Sequence, residues 1–550
     1  MAKKAKKTAR KSARKSPARK KKAAGRRAAR PATRRTTRKR GAKRQRLGAG
    51  ATIQGWPTDP MGGAPPLHMP VPTMPGSPLP TRIVAPSQAP VAQVHAVGTE
   101  AFRYWTAAEA LRRGAAFWSA AGARAWHQDV GPTLPVRLDD GVDLNAYYAR
   151  NDFPPEDIKQ GLSFFHDTVR DVTTNRQVTV FSGESPDIAA HELGHAVLDT
   201  LKPVLFEVQS IEAAAFHESF GDMSAILTAL QLPSVRQAVL EETNGNLRRN
   251  SSVSRVAEQL GYAIRQRSPG AVDNDSLRNA ANSFLYVDPL TLQSNGPASQ
   301  LTRAPHNFSR VFTGAFLEVL GGMVLKLAGH PHVDDVEEAS ADMGRLLARA
   351  IADAPVSTKF FQAVAEQMVL TDATLFSGKY AEALTSAFVR RNLMPVRSLA
   401  APDAVAASPA RAAAAAARHA AAAGGRQTTR ATRSETPVRI AIDGATLGLS
   451  AKTLYVAAPP VDDAGAAPAS TLGSITARES TGAPRSADIQ AFCESLIVRG
   501  RVSIGPAAGR RRGLVASFSQ TRKHATHYLE QLPDDAVELK RIAFECWPLD

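Results

Sequence analysis

The chain is poor in cysteine and aromatic residues and, over its first stretch, has no negative charge at all. Cys493 and Cys546 are its only cysteines in 550 residues, too few for a disulfide scaffold or a cysteine-ligated metal centre. They fit a reducing compartment, with a single C-terminal disulfide as the alternative. No aromatic residue precedes Trp56, so the opening stretch offers no platform for stacking bases. It also has no apolar periodicity and cannot bury enough surface to fold alone. No apolar core follows the first charges, so no secretory signal is read there. The longest apolar run, about 310–329, is broken by Glu318 and Lys326, which predicts a buried helix and no membrane span. Cytoplasm is the expected location, with nucleoid association or non-classical export as variants of it.

Charge is abundant, and it is unevenly placed. The formal net charge is +19, but residues 1–46 alone hold 23 Lys and Arg and no acid, which leaves 19 − 23 = −4 for the remainder. Residues 1–48 therefore read as a disordered basic tail whose partner is nucleic acid or another polyanion, bound by counterion release. Residues 49–98 are rich in Pro and Gly (Met61 to Pro66, Met74 to Pro78) and predict an extended linker.

From Thr99 onward the pattern becomes that of a folded α+β protein. Thr106 to Glu109 has the form of a capping box opening a helix through Leu111, Phe117 and Trp118. Leu134–Leu138, a turn at Asp139–Gly141 and Val142–Tyr148 predict a hairpin, and Leu162–His166 and Gln177–Phe181 predict further strands. Helical patterns fill 307–395. Residues 401–436 are an Ala/Arg-rich linker. Strand-like runs at Val438–Ile442, Leu496–Ile504, Leu514–Phe518, His527–Leu529 and Leu539–Cys546 predict a small separate β-rich or α+β domain over 437–550.

One stretch carries chemistry. Ser185 and Pro186 are a good N-cap and first helical residue, and Lys202-Pro203 is a stop. Between them lies His191-Glu192-Leu-Gly-His195, with the histidines one turn apart on one helix face, where they can share a metal. Glu192 on the same side can poise a water. On the next predicted helix, Glu212–Leu230, Glu218 and Asp222 lie one turn apart, so that one can ligate while the other orients an imidazole. Glu212 and His217 compete for the third ligand position, but only Glu218 carries an acid four residues later. Two histidines and one glutamate leave a fourth position open, as a catalytic zinc site requires.

In several stretches the sequence resembles the thermolysin-like zinc metallopeptidases (gluzincins). Asp187 to Val197 is similar to the family's zinc helix, and Glu218-Ser-Phe-Gly-Asp222 to its glutamate ligand with the following aspartate. Asn145-Ala-Tyr-Tyr148 resembles the edge strand that binds substrate backbone. Ser276 to Pro289 resembles the segment bearing a substrate-binding arginine, and Pro305-His306-Asn-Phe-Ser309 the one bearing the oxyanion histidine. The matches follow the family's order across roughly 100–395.

The resemblance implies a metallopeptidase domain over 99–400, with an N-terminal sheet, a zinc helix and a mainly helical C-terminal lobe. It implies one Zn2+ on His191, His195 and Glu218, with Glu192 as the base and Asp222 orienting His191. His306 would stabilise the oxyanion, and Asn145, Ala146 and Arg278 would hold the protein or peptide substrate. Three departures stand out. No tyrosine lies between Ala196 and His217, Leu301 replaces the usual aspartate partner of the oxyanion histidine, and no acid lies between Asp222 and Glu241, which argues against a double calcium site. A catalytically inactive zinc scaffold on nucleic acid is the alternative function. For the tail, deletion of residues 1–48 is expected to remove most salt-sensitive DNA binding in a filter or anisotropy titration. Unchanged affinity would refute that role.

Overall fold

Two bare stretches of apolar sequence anchor the N-terminal half in this computed structural model. It describes residues 51–73, 77–84, 88–395, 435–460, 485–503 and 525–546. The predicted tail, nearly all of the 401–436 linker and the predicted strand Leu514–Phe518 lie outside the described residues. Strand β1 (Thr52–Gly55) pairs antiparallel with β2 (Leu67–Pro70), and β3 (Thr81–Ile83) enters a larger sheet. Ile53 and Leu79 are fully buried. The indole of Trp126 donates to the Pro80 carbonyl at 2.7 Å. The expectation of a spacer over 49–98 is therefore corrected for its described part. Isolated apolar anchors between turns hold this segment, and Pro/Gly content shapes the turns without freeing the chain.

Helix α1 (Glu100–Ala121) starts earlier than its predicted capping box. Thr99 is the N-cap, its hydroxyl accepting from the Phe102 amide, and Thr106 is a buried residue inside the helix. Strands β4 (Leu134–Arg137), β5 (Ala146–Ala149) and β6 (Gly161–Phe164) follow. The predicted β4–β5 hairpin does not form. β6 lies between them, parallel to β4 and antiparallel to β5, with Ala146 opposite Phe164 and Ala149 opposite Gly161. Gly161 permits this placement, because at φ 100° a Cβ there would meet the Pro135 carbonyl oxygen. β7 (His166–Arg170), which the sequence reading missed, and β8 (Gln177–Phe181), which it expected, form a separate antiparallel pair.

The centre of the molecule is helical. Helix α2 (Pro186–Leu201) begins as predicted, with Ser185 capping the Ile188 amide and Pro186 in the first turn. A short helix α3 (Val204–Glu207) leads to α4 (Ile211–Ala229), capped by Ser210, which packs along α2. Around them lie α5 (Pro233–Thr243), the two-residue strand β9 (Arg255–Val256), α6 (Glu258–Arg267) and β10 (Arg278–Asn279), which pairs with β9. The predicted helical lobe is α7 (Pro305–Leu327), α8 (Val333–Asp353), α9 (Phe360–Leu375) and α10 (Ala381–Arg390). By length and composition α7 could cross a membrane, but most of it is buried against its neighbours.

The C-terminal residues do not form the separate domain that the sequence predicts. Strands β11 (Val438–Asp443) and β12 (Thr453–Ala458), helix α11 (Arg485–Val498), and β13 (Val502–Ser503), β14 (His527–Leu532) and β15 (Ala536–Arg541) make an α+β layer of sheet order β11-β12-β15-β14-β13. Leu496 to Val498, predicted as strand, end helix α11. The last strand, β16 (Ala543–Glu545), leaves that sheet and pairs antiparallel with β5, giving the order β16-β5-β6-β4-β3. Buried polar groups explain the merger. His527 meets the Gln209 side chain at 2.9 Å, and the Arg541 guanidinium donates to the Phe206 carbonyl at 3.0 Å. Those partners lie on α3 and on the segment that follows it, and buried polar atoms must be paired.

The packing of residues 51–98 predicts a measurable stability cost. Leu79→Ala is expected to destabilise the chain by about 2–5 kcal/mol in denaturant unfolding. An unchanged midpoint would restore the spacer reading.

Candidate metal centre

Helix periodicity and one close helix–helix contact bring the site together. His191 and His195 stand one turn apart on α2, and Glu218 comes from the middle of α4. The two helices touch where side chains are smallest. A Cβ added at Gly221 would lie 2.5 Å from the His191 ring, and one at Gly194 would lie 3.0 Å from the Gly221 Cα. Gly221 therefore sets how closely α4 approaches the imidazole. The sequence signal was the Gly within Glu218-Ser-Phe-Gly-Asp222, which had no assigned role.

The three side chains His191, His195 and Glu218 are buried and converge as a group able to hold a metal ion. The Nε2 atoms of His191 and His195 lie 3.5 and 3.7 Å from the Glu218 carboxylate oxygens. That is long for a good hydrogen bond. For ligands about 2.0–2.1 Å from one tetrahedral ion, the ligand–ligand edge is about 3.4 Å, so the observed spacing suits a shared cation. Neither Nε2 has a hydrogen-bond partner among the described residues.

The electrostatics favour positive charge at the same point. Burial pushes the Glu218 carboxyl up, yet His306, His191 and His195 outweigh it and hold the group well below the usual carboxylate range. Burial pulls His191 down, but the Asp222 and Glu218 carboxylates win and raise it to about 9. At His195 burial outweighs the Glu218 carboxylate and, with the neighbouring cationic groups, lowers it to about 3. Glu192 is fully buried beside them, and desolvation pushes it up to about 8.

The surrounding residues orient this group. Asp222 Oδ1 lies 3.1 Å from His191 Nδ1, as its expected role requires. Arg278 is buried and grips Asp222 through Nε and Nη2 at 2.8–3.1 Å. Its Nη1 has no hydrogen-bond partner among the described residues. The competing ligands are used elsewhere. Glu212 accepts from the Tyr286 hydroxyl at 2.7 Å and from the Phe361 amide at 2.8 Å. The His217 ring stacks on Phe544, their centroids 3.8 Å apart.

The remaining predicted residues also gather here, but each already touches the chain's own C-terminus. His306 Nε2 lies 3.3 Å from Glu218 Oε2 and 2.7 Å from the Glu545 carbonyl oxygen, to which it donates. The Asn145 amide donates to the Glu545 carboxylate at 3.1 Å, and the Ala146 carbonyl accepts from the Cys546 amide at 2.9 Å. Phe544, Glu545 and Cys546 are site residues that sequence reasoning missed, as is Arg541, whose guanidinium lies 4.2 Å over the Phe544 ring. They stand more than 230 residues beyond His306 in no recognisable motif. No family model matches this chain, and no curated protein matches it.

Because Asp222 fixes the His191 tautomer through a buried hydrogen bond, Asp222→Asn is expected to weaken zinc affinity about 10–100-fold. Competition with a chromophoric chelator measures it. Unaltered affinity would show that Asp222 serves Arg278 alone.

Proposed function

We propose that the chain is a zinc-dependent endopeptidase of thermolysin-like fold over residues 99–400, with His191, His195 and Glu218 as the zinc ligands. The observation that carries this reading is the buried convergence of two imidazoles and one carboxylate at metal-ligand spacing, with Glu192 beside them. A zinc ion bound there would supply a Lewis acid, polarising a carbonyl and lowering the pKa of water. The donor set is all nitrogen and oxygen and comes from three side chains, which suits a catalytic site better than a closed structural one.

The chain's own residues supply the other parts. Glu192 accepts the proton of the attacking water and delivers it to the leaving nitrogen; its buried position, which raises its proton affinity, suits a group that both takes and gives. His306 donates a hydrogen bond to the carbonyl oxygen as charge develops on it. Asn145 and the Ala146 carbonyl bind substrate backbone in strand fashion along β5. Arg278 holds Asp222 and, through Nη1, has a donor left for a substrate carbonyl. The basic tail, in this reading, tethers the enzyme to nucleic acid or another polyanion in the cytoplasm or nucleoid.

A second reading, a catalytically inactive zinc scaffold on nucleic acid, is favoured by one observation: β16 occupies the β5 edge where substrate would pair. Glu192→Gln separates the two. With zinc still bound, this substitution is expected to lower cleavage of a quenched peptide by about 10²–10⁴-fold. Full activity in the variant would sink the mechanism. Chelator-insensitive inactivity of every form would favour the scaffold.

A further inference from the structure

Four contacts place a specific segment of this chain where the proposed substrate would lie. β16 runs antiparallel to β5, with Phe544 opposite Tyr148 and Glu545 opposite Tyr147. The Glu545 carbonyl oxygen accepts from His306 Nε2 at 2.7 Å, and the Cys546 amide donates to the Ala146 carbonyl at 2.9 Å. Both polar atoms of one peptide group, Glu545–Cys546, are thus held by residues assigned to substrate. The Cys546 side chain is buried, its sulfur within 4.8 Å of ligand atoms on His191 and Glu192.

The side chains of the segment are held as well as its backbone. The Glu545 carboxylate pairs with Arg501 and accepts from Asn145 at 3.1 Å. Phe544 lies flat on His217, at 17° between ring planes, and packs edge-on against Phe206. Aromatic stacking and a buried, hydrogen-bonded carboxylate each strengthen such docking. An edge strand that binds peptide by main-chain hydrogen bonds cannot pair with two strands on the same side.

We propose that residues 543–546 are a built-in occupant of the peptide cleft, keeping the enzyme latent until the C-terminal strand is withdrawn. This rests on the peptidase reading. The cleft positions it fills, an aromatic side chain on His217 followed by an acidic one at Arg501 and Asn145, mark an extended peptide of that pattern as the class of ligand it accepts. Cys546 also joins His191 and Glu192 in a second group able to hold a metal ion, sharing only His191 with the His191–His195–Glu218 group, on which this proposal keeps the zinc.

The test uses zinc-loaded full-length chains, wild type, Glu545→Lys and Phe544→Ala, with a fluorescein-labelled peptide of the sequence of residues 543–550 as probe. Maleimide labelling of Cys546 reports strand release, and the equally buried Cys493 must stay unreactive in a folded chain. The released variants are expected to label faster at Cys546, to bind the probe at least tenfold more tightly than wild type, and to cleave a quenched peptide at least tenfold faster. Wild type that binds the probe as tightly as the variants would overturn the proposal. So would released variants holding one zinc that show no gain in probe binding. A chain that takes up no zinc would instead refute the metal reading, which zinc analysis of the same samples distinguishes.

Discussion

The structure depends on a carboxylate held in a dry interior. Glu218 sits mid-helix in α4, buried, with no solvent to carry its charge. An isolated buried carboxylate is costly and would ordinarily neutralise itself. Here three imidazoles and, at 4.0 Å, Arg278 surround it. Three of those groups have a partner of their own: Asp222 for His191 and Arg278, and the C-terminal backbone for His306. A metal ion, which the His191–His195–Glu218 group could hold, would meet the same need. The tight α2–α4 contact, the glycine at 221 and the buried Asp222–Arg278 pair all follow from that one requirement.

The C-terminal layer belongs to the same account. Arg541, Arg501 and the Glu545 carbonyl all lie near the buried acid and its histidine, so the last strand completes the interior that the helices leave open. Under the proposed peptidase reading, one segment would couple two roles, stabilising the fold and excluding a peptide from the cleft. Release of the strand, as proposed, would expose Phe544 and break the contacts of Glu545, a cost that a competing ligand of matching chemistry would lower.

Much of the central machinery was legible because it is local. The cap at Ser185, the i, i+4 histidines and the i, i+4 acids of α4 are all written within single helices, and the structure places each on its expected element. The helical lobe was legible for the same reason, its helices α7 to α10 lying within the stretch that the sequence pattern marks as helical. Two misreadings are local, the capping box at Thr106 and the strand at Leu496–Val498, and the larger ones are non-local. β4 and β5 look like a hairpin in sequence, but β6, which follows β5 in the chain, lies between them, and no local pattern records a parallel partner. Residues 49–98 have linker composition, while Ile53, Leu79 and Asp59 anchor them singly; Asp59 accepts from the Ser185 hydroxyl at 2.7 Å, bracing the start of α2. The role of β16 depends on contacts with Asn145 and His306 across hundreds of residues, which periodicity cannot show.

X-ray absorption at the zinc edge of the loaded full-length chain tests the central claim most directly. The account predicts one zinc per chain with a shell of nitrogen and oxygen at about 2.0–2.1 Å, including the imidazole signature of two histidines. A sulfur scatterer at about 2.3 Å would make Cys546 a ligand and the site closed, and would contradict it.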